Sequence, residues 1–253
     1  MISDRMAIVL ALLDRTSAPN GTGGGLSMTA CAAASTALGV DGLCAVVGTG
    51  AGGTVLAFGA QAVSAALEDL EFTLGEGPSL EAVASGVPVL TAELAGAQRR
   101  WPAFTGPALE LGVNAVFAFP LRIGAIDLGT LTAYRATVGP LNPGQVIDAL
   151  ALADAVTLTV LHRQAADGTG RGADRGAGQG TAPDDQPGPG WAAPVTYRAE
   201  VHQATGMVSA QLGVGLAEAL ARLRAFAFGR DLLLAEVAAD VVARRLRFTE
   251  QDR

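Results

Sequence analysis

Residues 114–134 read NAVFAFPLRIGAIDLGTLTAY, and this stretch decides the fold of the first part of the chain. Residues 114–123 and 126–134 are two runs rich in the aromatic and β-branched residues that strands favour. Only Gly124 and Ala125 separate the runs, which is the spacing of a tight β-hairpin. The stretch therefore predicts two neighbouring antiparallel strands.

Helical and extended segments alternate around this hairpin. A second hairpin is predicted from residues 41–49 and 54–59, which flank a glycine-rich turn, and a short strand from residues 87–91. Helices are predicted at 2–13, 27–39, 61–72, 79–85 and 142–163, and another in the segment that carries Trp101 and Phe104. Ser79 is the expected N-cap of its helix, and Gly86 the expected end. Helices that flank an antiparallel sheet make an α+β domain.

A change of composition divides the chain. Residues 166–195 contain eight glycines and four prolines, and Trp191 is their large aromatic residue. Such a segment buries too little apolar surface to offset its ordering entropy. We therefore predict a flexible linker at 166–195, between an N-terminal domain at 1–165 and a C-terminal domain at 196–253.

The C-terminal domain is predicted to be all-α. Three helices are expected at residues 197–212, 216–228 and 232–248, with Gly213 and Gly229 ending the first two. Because the connections are short, the three helices are expected to pack as antiparallel or crossed neighbours.

Charge is distributed unevenly along the chain. Residues 1–165 hold 7 arginines and 13 acidic residues, a net charge of −6, whereas residues 196–253 hold 8 arginines and 7 acidic residues, a net charge of +1. The acidic front domain disfavours nucleic-acid contact there. The weakly basic back domain implies that any polyanion binding depends on a few well-placed contacts.

The sequence predicts a cytoplasmic protein that does not enter a membrane. The apolar run from Met6 to Leu13 has eight residues, whereas a membrane span needs about 20. Asp14 and Arg15 close the run, and no small-residue cleavage site follows. The two cysteines, Cys31 and Cys44, show no CxxC spacing, as expected for the cytosol.

Several segments of the front domain share their order and spacing with a known family. They are Leu74-Gly75-Glu76-Gly77-Pro78-Ser79-Leu80, Gly86-Val87-Pro88-Val89, Arg100-Trp101-Pro102-Ala103-Phe104, and Gly112-Val113 leading into Ala118-Phe119-Pro120-Leu121, then Gly129 and Leu131. Over roughly residues 27–165 the chain resembles a GAF domain of the actinobacterial kind. The resemblance implies a sensor of a small-molecule or protein signal.

A GAF domain holds its ligand between the sheet and the loops that cover it. The aromatic residues that would line such a pocket are Phe58, Phe72, Trp101, Phe117 and Phe119. The alternative is that most of these rings are ordinary core residues.

The C-terminal helices resemble a second family. The matching residues are Ala204, Gly206 and Met207, then Glu218-Ala219 and Leu223-Arg224-Ala225, then Glu236-Val237-Ala238 and Val241-Val242. Over roughly residues 197–248 the chain resembles an ANTAR domain, which binds RNA hairpins in transcription antitermination regulators. The order GAF, linker, ANTAR is itself a familiar arrangement.

The resemblance implies an RNA-binding surface. Its expected residues are Thr205, Arg222, Arg224, Arg230, Arg244 and Arg245, of which Thr205 stands where many family members have a basic residue. Arginine suits both phosphate contact and stacking on unpaired loop bases. The alternative is that these arginines, with Arg247, lie on solvated helix faces or complement helix C-termini.

Taken together, the sequence predicts a transcription antitermination regulator that binds hairpins in nascent transcripts. No catalytic residue, cofactor or metal is expected, and neither His162 nor His202 belongs to a ligand cluster. Two alternatives stay open. One is a GAF-type free methionine sulfoxide reductase that uses Cys31 or Cys44, and the other is an interaction module whose ANTAR part no longer binds RNA.

A homodimer is also predicted, because isologous pairs are the commonest oligomers. The predicted helix at 142–163 supplies the expected interface residues Val146, Leu150, Ala153, Val156, Thr157 and Val160. The front helix adds a stripe formed by Ile2, Met6, Val9 and Leu13.

Overall fold

The computed structural model of the chain describes residues 2–16, 28–48, 54–58, 62–170, 192–230 and 232–249. These residues divide into two compact units. The N-terminal unit consists mainly of residues up to 170, and the C-terminal unit mainly of residues from 192 onward.

The N-terminal unit is an antiparallel sheet covered by helices. In chain order its elements are α1 Asp4–Thr16, α2 Met28–Leu38, β1 Gly42–Gly48, β2 Thr54–Phe58, α3 Ala62–Leu74, α4 Pro78–Ser85, β3 Val89–Thr91, a 3-10 turn Leu94–Ala97, α5 Thr105–Glu110, β4 Ala115–Ile123, β5 Ile126–Arg135 and α6 Pro143–Gly170. The strands lie side by side in the order β2-β1-β5-β4-β3. The predicted α+β architecture is confirmed.

The hairpin at residues 114–134 forms as the sequence predicts. Ile123 pairs with Ile126 across the two-residue turn, and Gly124 has a positive φ of 58°, as such a turn requires. β5 also pairs with β1, so the hairpin occupies the centre of the sheet. The strands predicted at 41–49 and 54–59 are neighbours, as expected, but their connection at 49–53 lies outside the described residues.

The prediction that Ser79 caps α4 is wrong. Gly77 is the N-cap, Pro78 occupies the first turn, and Ser79 is buried inside the helix. Proline suits this position because its fixed φ is compatible with a helix and its missing N–H is not needed there. Gly86 ends the helix in the left-handed conformation, as predicted.

One face of the sheet forms the main apolar core. Because side chains alternate along a strand, every second residue of β1, β4 and β5 points to this face. The strand residues in this core are Leu43, Ala45, Val47, Ala115, Phe117, Phe119, Leu121, Leu131 and Ala133. Residues from α1, α2 and α6 pack against them, so this face is closed by three helices.

Gly129 occupies its position in β5 for a steric reason. A Cβ atom built at this position would lie 1.9 Å from the main-chain oxygen of Val46 on β1. A contact of that length is impossible, so any side chain here would push the two central strands apart. Gly129 is one of the residues that carries the GAF resemblance.

Helix α1 packs against the core through the predicted stripe. Met6, Val9 and Leu13 are buried, whereas Ile2 precedes the helix and is 43% exposed. Asp148 of α6 fixes the start of α1, because its buried carboxylate accepts hydrogen bonds from the Ser3 N–H at 2.8 Å and the Ser3 hydroxyl at 2.5 Å. These charge-assisted hydrogen bonds join two elements 145 residues apart.

The predicted dimer face of α6, apart from the exposed Leu150, belongs instead to the core. Ala153, Val156 and Thr157 are buried, and Val146 and Val160 pack partly against the same cluster. The exposed apolar residues of α6 are Ile147, Leu150 and Leu158. The 3.6-residue period locates an apolar stripe, but α6 has two such stripes, and the inner one covers the sheet.

Within α6, the segment Pro143–His162 is long and apolar enough to cross a bilayer, by length and composition alone. It is the one such segment in the part of the chain that the structure describes. The same composition is expected of a core helix, and the inner face of α6 packs on the sheet.

The C-terminal unit contains three helices, α7 Ala192–Leu212, α8 Leu216–Gly229 and α9 Leu234–Val242. Residues from all three meet in one apolar cluster, namely Val201, Ala204, Val208, Ala219, Leu223, Ala227, Leu234, Val237, Ala238, Val241 and Phe248. Most of the predicted linker, residues 171–191, lies outside the described residues. The ends of the predicted linker range are helical, because α6 extends to Gly170 and α7 begins at Ala192.

The prediction that the third helix extends to Phe248 is wrong. α9 ends at Val242, and Arg244 adopts a left-handed φ of 60°. The departure from the helix returns Phe248 to the core, where its ring centroid lies 5.1 Å from that of Phe226 on α8. Burial of this ring accounts for the early end of the helix. Arg244, Arg245 and Arg247 therefore lie beyond α9, not in its last turns.

The Ser3–Asp148 contact yields a test of how α1 is held. Asp148→Ala removes the acceptor of two partly buried hydrogen bonds and is expected to lower the free energy of unfolding by about 1–3 kcal/mol. Urea unfolding followed by circular dichroism measures the change. Asp154→Ala, on an exposed position of the same helix, is the control and should change stability by less than about 0.5 kcal/mol. Equal effects of the two substitutions would contradict this account.

Candidate functional site

The second face of the central sheet carries polar residues although it is buried. Cys44 of β1 and Thr130, Thr132 and Tyr134 of β5 alternate with the core residues, and all four are buried. Cys44 and Thr132 are direct cross-strand partners. Helix α4 packs against β3, β4 and β5, and α3 supplies residues that contact Cys44. We refer to Cys44, Ser64, Glu68 and Thr132 as the polar cluster.

A buried carboxylate lies at the centre of the polar cluster. The Cys44 thiol is 3.4 Å from Glu68 Oε1 and 3.9 Å from the main-chain oxygen of Ser64, both on α3. Glu68 is 6% exposed and Cys44 1% exposed. Glutamate is rarely buried unless it is paired, so this position indicates a specific role.

Two hydroxyl groups of the polar cluster have no hydrogen-bond partner among the described residues. They are Ser64 Oγ and Thr132 Oγ1, and Thr91 Oγ1 of β3 is in the same state. Leaving a buried hydroxyl unpaired costs about 1–3 kcal/mol, and most native proteins avoid it. A bound polar molecule is one way to satisfy such groups.

Tyr134 contributes a further polar group to this face. Burial raises the pKa of Tyr134, and the negative charge of Asp41 raises it further. The phenol therefore stays neutral at physiological pH and keeps its proton.

The polar cluster has the chemistry of a binding site for a small polar molecule. A carboxylate accepts hydrogen bonds, and two hydroxyls donate or accept them. A ligand with at least one N–H or O–H group fits this set. Its burial excludes a large flat partner.

The aromatic residues predicted to line a pocket do not form one group. Phe117 and Phe119 lie in the main core on the opposite face of the sheet, so their assignment to the pocket is wrong. The aromatic run placed them correctly on β4, but a strand's alternation sends Phe117 and Phe119 to one face and Val116 and Ala118 to the other.

The other predicted pocket residues have separate positions. Trp101 is buried and forms an edge-to-face pair with Phe104, with centroids 6.2 Å apart. Phe72 is half-buried near the end of α3. The side chain of Phe58, on β2, lies outside what the structure describes.

Two of the motifs that carry the GAF resemblance meet through Glu76. Its Oε1 accepts hydrogen bonds from the main-chain N–H groups of Ala103 and Phe104, at 2.6 and 2.9 Å. The segment at residues 74–80 thus fixes the start of α5.

A second contact joins the same two motif regions. Arg100 pairs with Glu81 and lies 4.7 Å from the centre of the Trp101 ring. Its hydrogen bond lowers the pKa of Glu81. The pair is exposed, so its contribution to stability is small.

The two cysteines lie on opposite sides of the sheet. Cys31 belongs to the main core, and its thiol is 3.5 Å from the main-chain oxygen of Leu43. Cys44 belongs to the polar cluster, beside a carboxylate. Both cysteines are buried thiols and are not joined in a disulfide. A reactive thiolate needs a positive neighbour and access to solvent, and the environment of Cys44 offers a negative one.

The predicted RNA-binding residues of the C-terminal unit differ in exposure. Thr205 is buried, and its hydroxyl donates to the main-chain oxygen of Val201 at 2.7 Å. This side chain is part of the helix packing and not of the surface. Arg224 is half-buried, whereas a side chain that contacts RNA is expected to be exposed.

The remaining arginines are nearer the surface. Arg222 forms an ion pair with Glu218 one turn earlier on α8, which leaves its side chain 19% exposed. Arg230, Arg244 and Arg245 are exposed. Arg245 pairs with Asp240 at 2.7 Å, and Arg230 lies over the ring of Phe226.

Metal ligands do not cluster in the described part of the chain. His162 is exposed on α6 and His202 is half-buried on α7.

Sequence reasoning missed Ser64, Glu68 and Thr132. The sequence signal was weak, because α3 also carries Asp69 and Glu71 and so does not single out Glu68, and Thr132 is one of two threonines in β5. Only the pairing of β1 with β5 brings Thr132 beside Cys44, and that register is not readable from either segment alone.

No protein-family model and no curated protein sequence matches this chain. Solved structures do resemble it. The GAF domain from an Acinetobacter phosphoenolpyruvate-protein phosphotransferase is 13% identical, with a TM-score of 0.46, over 66% of this chain and 99% of that chain. The phycoerythrobilin-bound GAF domain from a cyanobacterial phytochrome is 10% identical, with a TM-score of 0.47, over 66% of this chain and 100% of that chain.

A third similar structure is an enzyme. The free methionine-R-sulfoxide reductase from Neisseria meningitidis, in complex with its substrate, is 17% identical, with a TM-score of 0.42, over 65% of this chain and 96% of that chain. At these identities the similarity is one of fold.

The unpaired hydroxyl of Thr132 gives a test of the polar cluster. Thr132→Val replaces it with a methyl group of similar size and is expected to raise the free energy of unfolding of the ligand-free chain by about 1 kcal/mol. Thr105→Val is the matched control, because the equally buried Thr105 hydroxyl donates to the main-chain oxygen of Trp101 at 2.8 Å. That control should lose about 1 kcal/mol. Denaturant unfolding compares them, and a clear loss of stability in Thr132→Val would refute the assignment.

Proposed function

We propose that this chain is a cytoplasmic, signal-responsive transcription antitermination regulator. Its N-terminal unit acts as a GAF-type sensor, and its C-terminal unit acts as an ANTAR-type module that binds hairpins in nascent RNA. No bond is made or broken in this function, so it requires no catalytic residue.

The observation that carries the proposal is the agreement between the ANTAR resemblance and the packing of three helices. Ala204, Leu223, Val237, Ala238 and Val241 carry the resemblance, and all of them lie in the core of the C-terminal unit. A motif made of core residues specifies how helices pack. The surface of the unit is then free to vary, and Arg230, Arg244 and Arg245 lie on it.

The sensor part of the proposal rests on the polar cluster. Its buried carboxylate and unpaired hydroxyls suit a small polar ligand that donates a hydrogen bond to Glu68. The contacts of Glu76 with Ala103 and Phe104 explain why two motif segments of the GAF resemblance occur together.

Electrostatics limits how the RNA is held. With a net charge of +1 over residues 196–253, non-specific attraction to phosphates is weak. Affinity must come from a few placed contacts and from two modules that engage one RNA, which raises the effective concentration. Binding is therefore expected to be hairpin-selective and only moderately sensitive to salt.

A gel-shift experiment tests RNA binding. The full chain is titrated against an RNA with two adjacent hairpins and against a fully paired duplex of the same length, at two salt concentrations. The hairpin RNA should be retarded and the duplex should not. Replacing Arg230, Arg244 and Arg245 by alanine should weaken binding at least tenfold, because exposed guanidinium groups supply the phosphate contacts.

The control is Arg122→Ala, which removes an exposed arginine from the N-terminal unit. It should leave RNA affinity unchanged. If the wild-type chain bound neither RNA, the proposal would be wrong and an interaction module would replace it. Equal loss in Arg122→Ala and in the triple variant would show a general charge effect and refute the assigned surface.

A homodimer belongs to the same proposal, with its interface moved to the outer stripe of α6. Ile147 and Leu158 are 42% and 53% exposed, and such apolar residues commonly pair across a two-fold axis. Light scattering at micromolar concentration is expected to give twice the mass of one chain. Ile147→Asp with Leu158→Asp should give the mass of one chain, and Asp154→Asn, an exposed position between them, should not. A wild-type monomer would contradict the proposal.

A further inference from the structure

The end of α8 holds an arginine against an aromatic ring. Arg230 follows Phe226 by one helical turn, and its Cζ atom lies 3.6 Å from the centre of the Phe226 ring. At this distance the guanidinium group lies over the face of the ring, as in a cation–π pair. We refer to this arrangement of two residues as the Phe226–Arg230 stack.

The core fixes the ring that supports Arg230. Phe226 is half-buried, and its centroid lies 5.1 Å from that of Phe248, which is itself buried. The early end of α9 is what returns Phe248 to this position. Packing against Phe248 therefore fixes the plane of the Phe226 ring. The ring in turn fixes the plane of the Arg230 guanidinium group that stacks on it.

The Arg230 guanidinium keeps its own bonding capacity. It is exposed, and it forms no ion pair or side-chain hydrogen bond with any residue that the structure describes. Arg222 and Arg245, in contrast, are paired with Glu218 and Asp240. Arg230 thus presents a planar cation whose outer face and N–H groups are available.

From this geometry we propose that the Phe226–Arg230 stack binds one unpaired base of a hairpin loop. The base lies on the outer face of the guanidinium, and Phe226 acts as a positioning residue that holds the plane. Every base has a π face, so stacking of this kind suits a splayed loop base and does not suit a paired one. The inference rests on the proposed function and names the RNA feature that the site recognises.

The Arg230→Lys substitution distinguishes a stacking contact with a base from a purely electrostatic contact with a phosphate. Arg230→Lys keeps the positive charge and removes the planar group. If Arg230 stacks on a base, the substitution should weaken binding of a hairpin RNA about tenfold. If Arg230 only neutralises a phosphate, Arg230→Lys should bind as the wild type does, and that result would overturn the inference.

The matched control is Arg247→Lys, which changes another exposed arginine of the same unit in the same way, lies outside the assigned RNA surface and should leave affinity unchanged. Phe226→Leu should weaken binding to a similar extent as Arg230→Lys, with the helical circular dichroism signal showing that the chain is folded. If Phe226→Leu does not fold, the Arg230→Lys result stands alone.

The RNA provides a second readout. The full chain is titrated, by fluorescence anisotropy, with hairpins in which one loop nucleotide at a time lacks its base. At one loop position, removal of the base should weaken wild-type binding about tenfold and leave Arg230→Lys binding unchanged, since the contact is already lost. Equal weakening in both proteins at every position would overturn the stack. Absence of RNA binding by the wild type would instead refute the proposed function and the inference together.

Discussion

The pairing of β5 with both β1 and β4 is the constraint on which the N-terminal unit depends. It fixes the register of three strands, and register decides which side chains point to each face. One face receives Leu43, Phe117 and Leu131 and is closed by helices. The other receives Cys44 and Thr132. A shift of one residue would exchange an apolar core for a set of hydroxyls, and Gly129 allows the close approach of the strands that this register needs.

Much of this fold was readable from the sequence because it depends on local signals. The turn at Gly124 and the left-handed end of α4 at Gly86 follow from residue preferences that act within a few positions. The candidate site was not readable, because Cys44, Glu68 and Thr132 come from three elements and meet only through sheet register and helix packing. The aromatic residues Phe117 and Phe119 were a misleading guide, since large rings are the usual filling of a core.

In the C-terminal unit, too, local sequence signals predict the helices but not the contacts between them. The residue pattern predicts the three helices, but it predicts that the third continues to Phe248, because the apolar period continues past Val242, where α9 ends. The tertiary demand to bury Phe248 against Phe226 outweighs that local preference. This one departure decides the surface as well, because it places Arg244 and Arg245 outside the helix and leaves Arg230 over a supported ring.

Unpaired buried hydroxyls also bear on the sensing role proposed for the N-terminal unit. Ser64 and Thr132 add a cost to the ligand-free state that a bound polar molecule would remove. A ligand that binds only the folded state stabilises it in proportion to the logarithm of its concentration. Hydrogen bonds made to these groups would therefore contribute to the affinity by relieving an existing penalty. An apolar cluster at the same place would make a more stable unit in the absence of ligand, and it would respond less to the arrival of one. In the proposed sensor the polar cluster would thus trade stability for response, and this is the physical reason for polar residues where a purely structural domain would have valine.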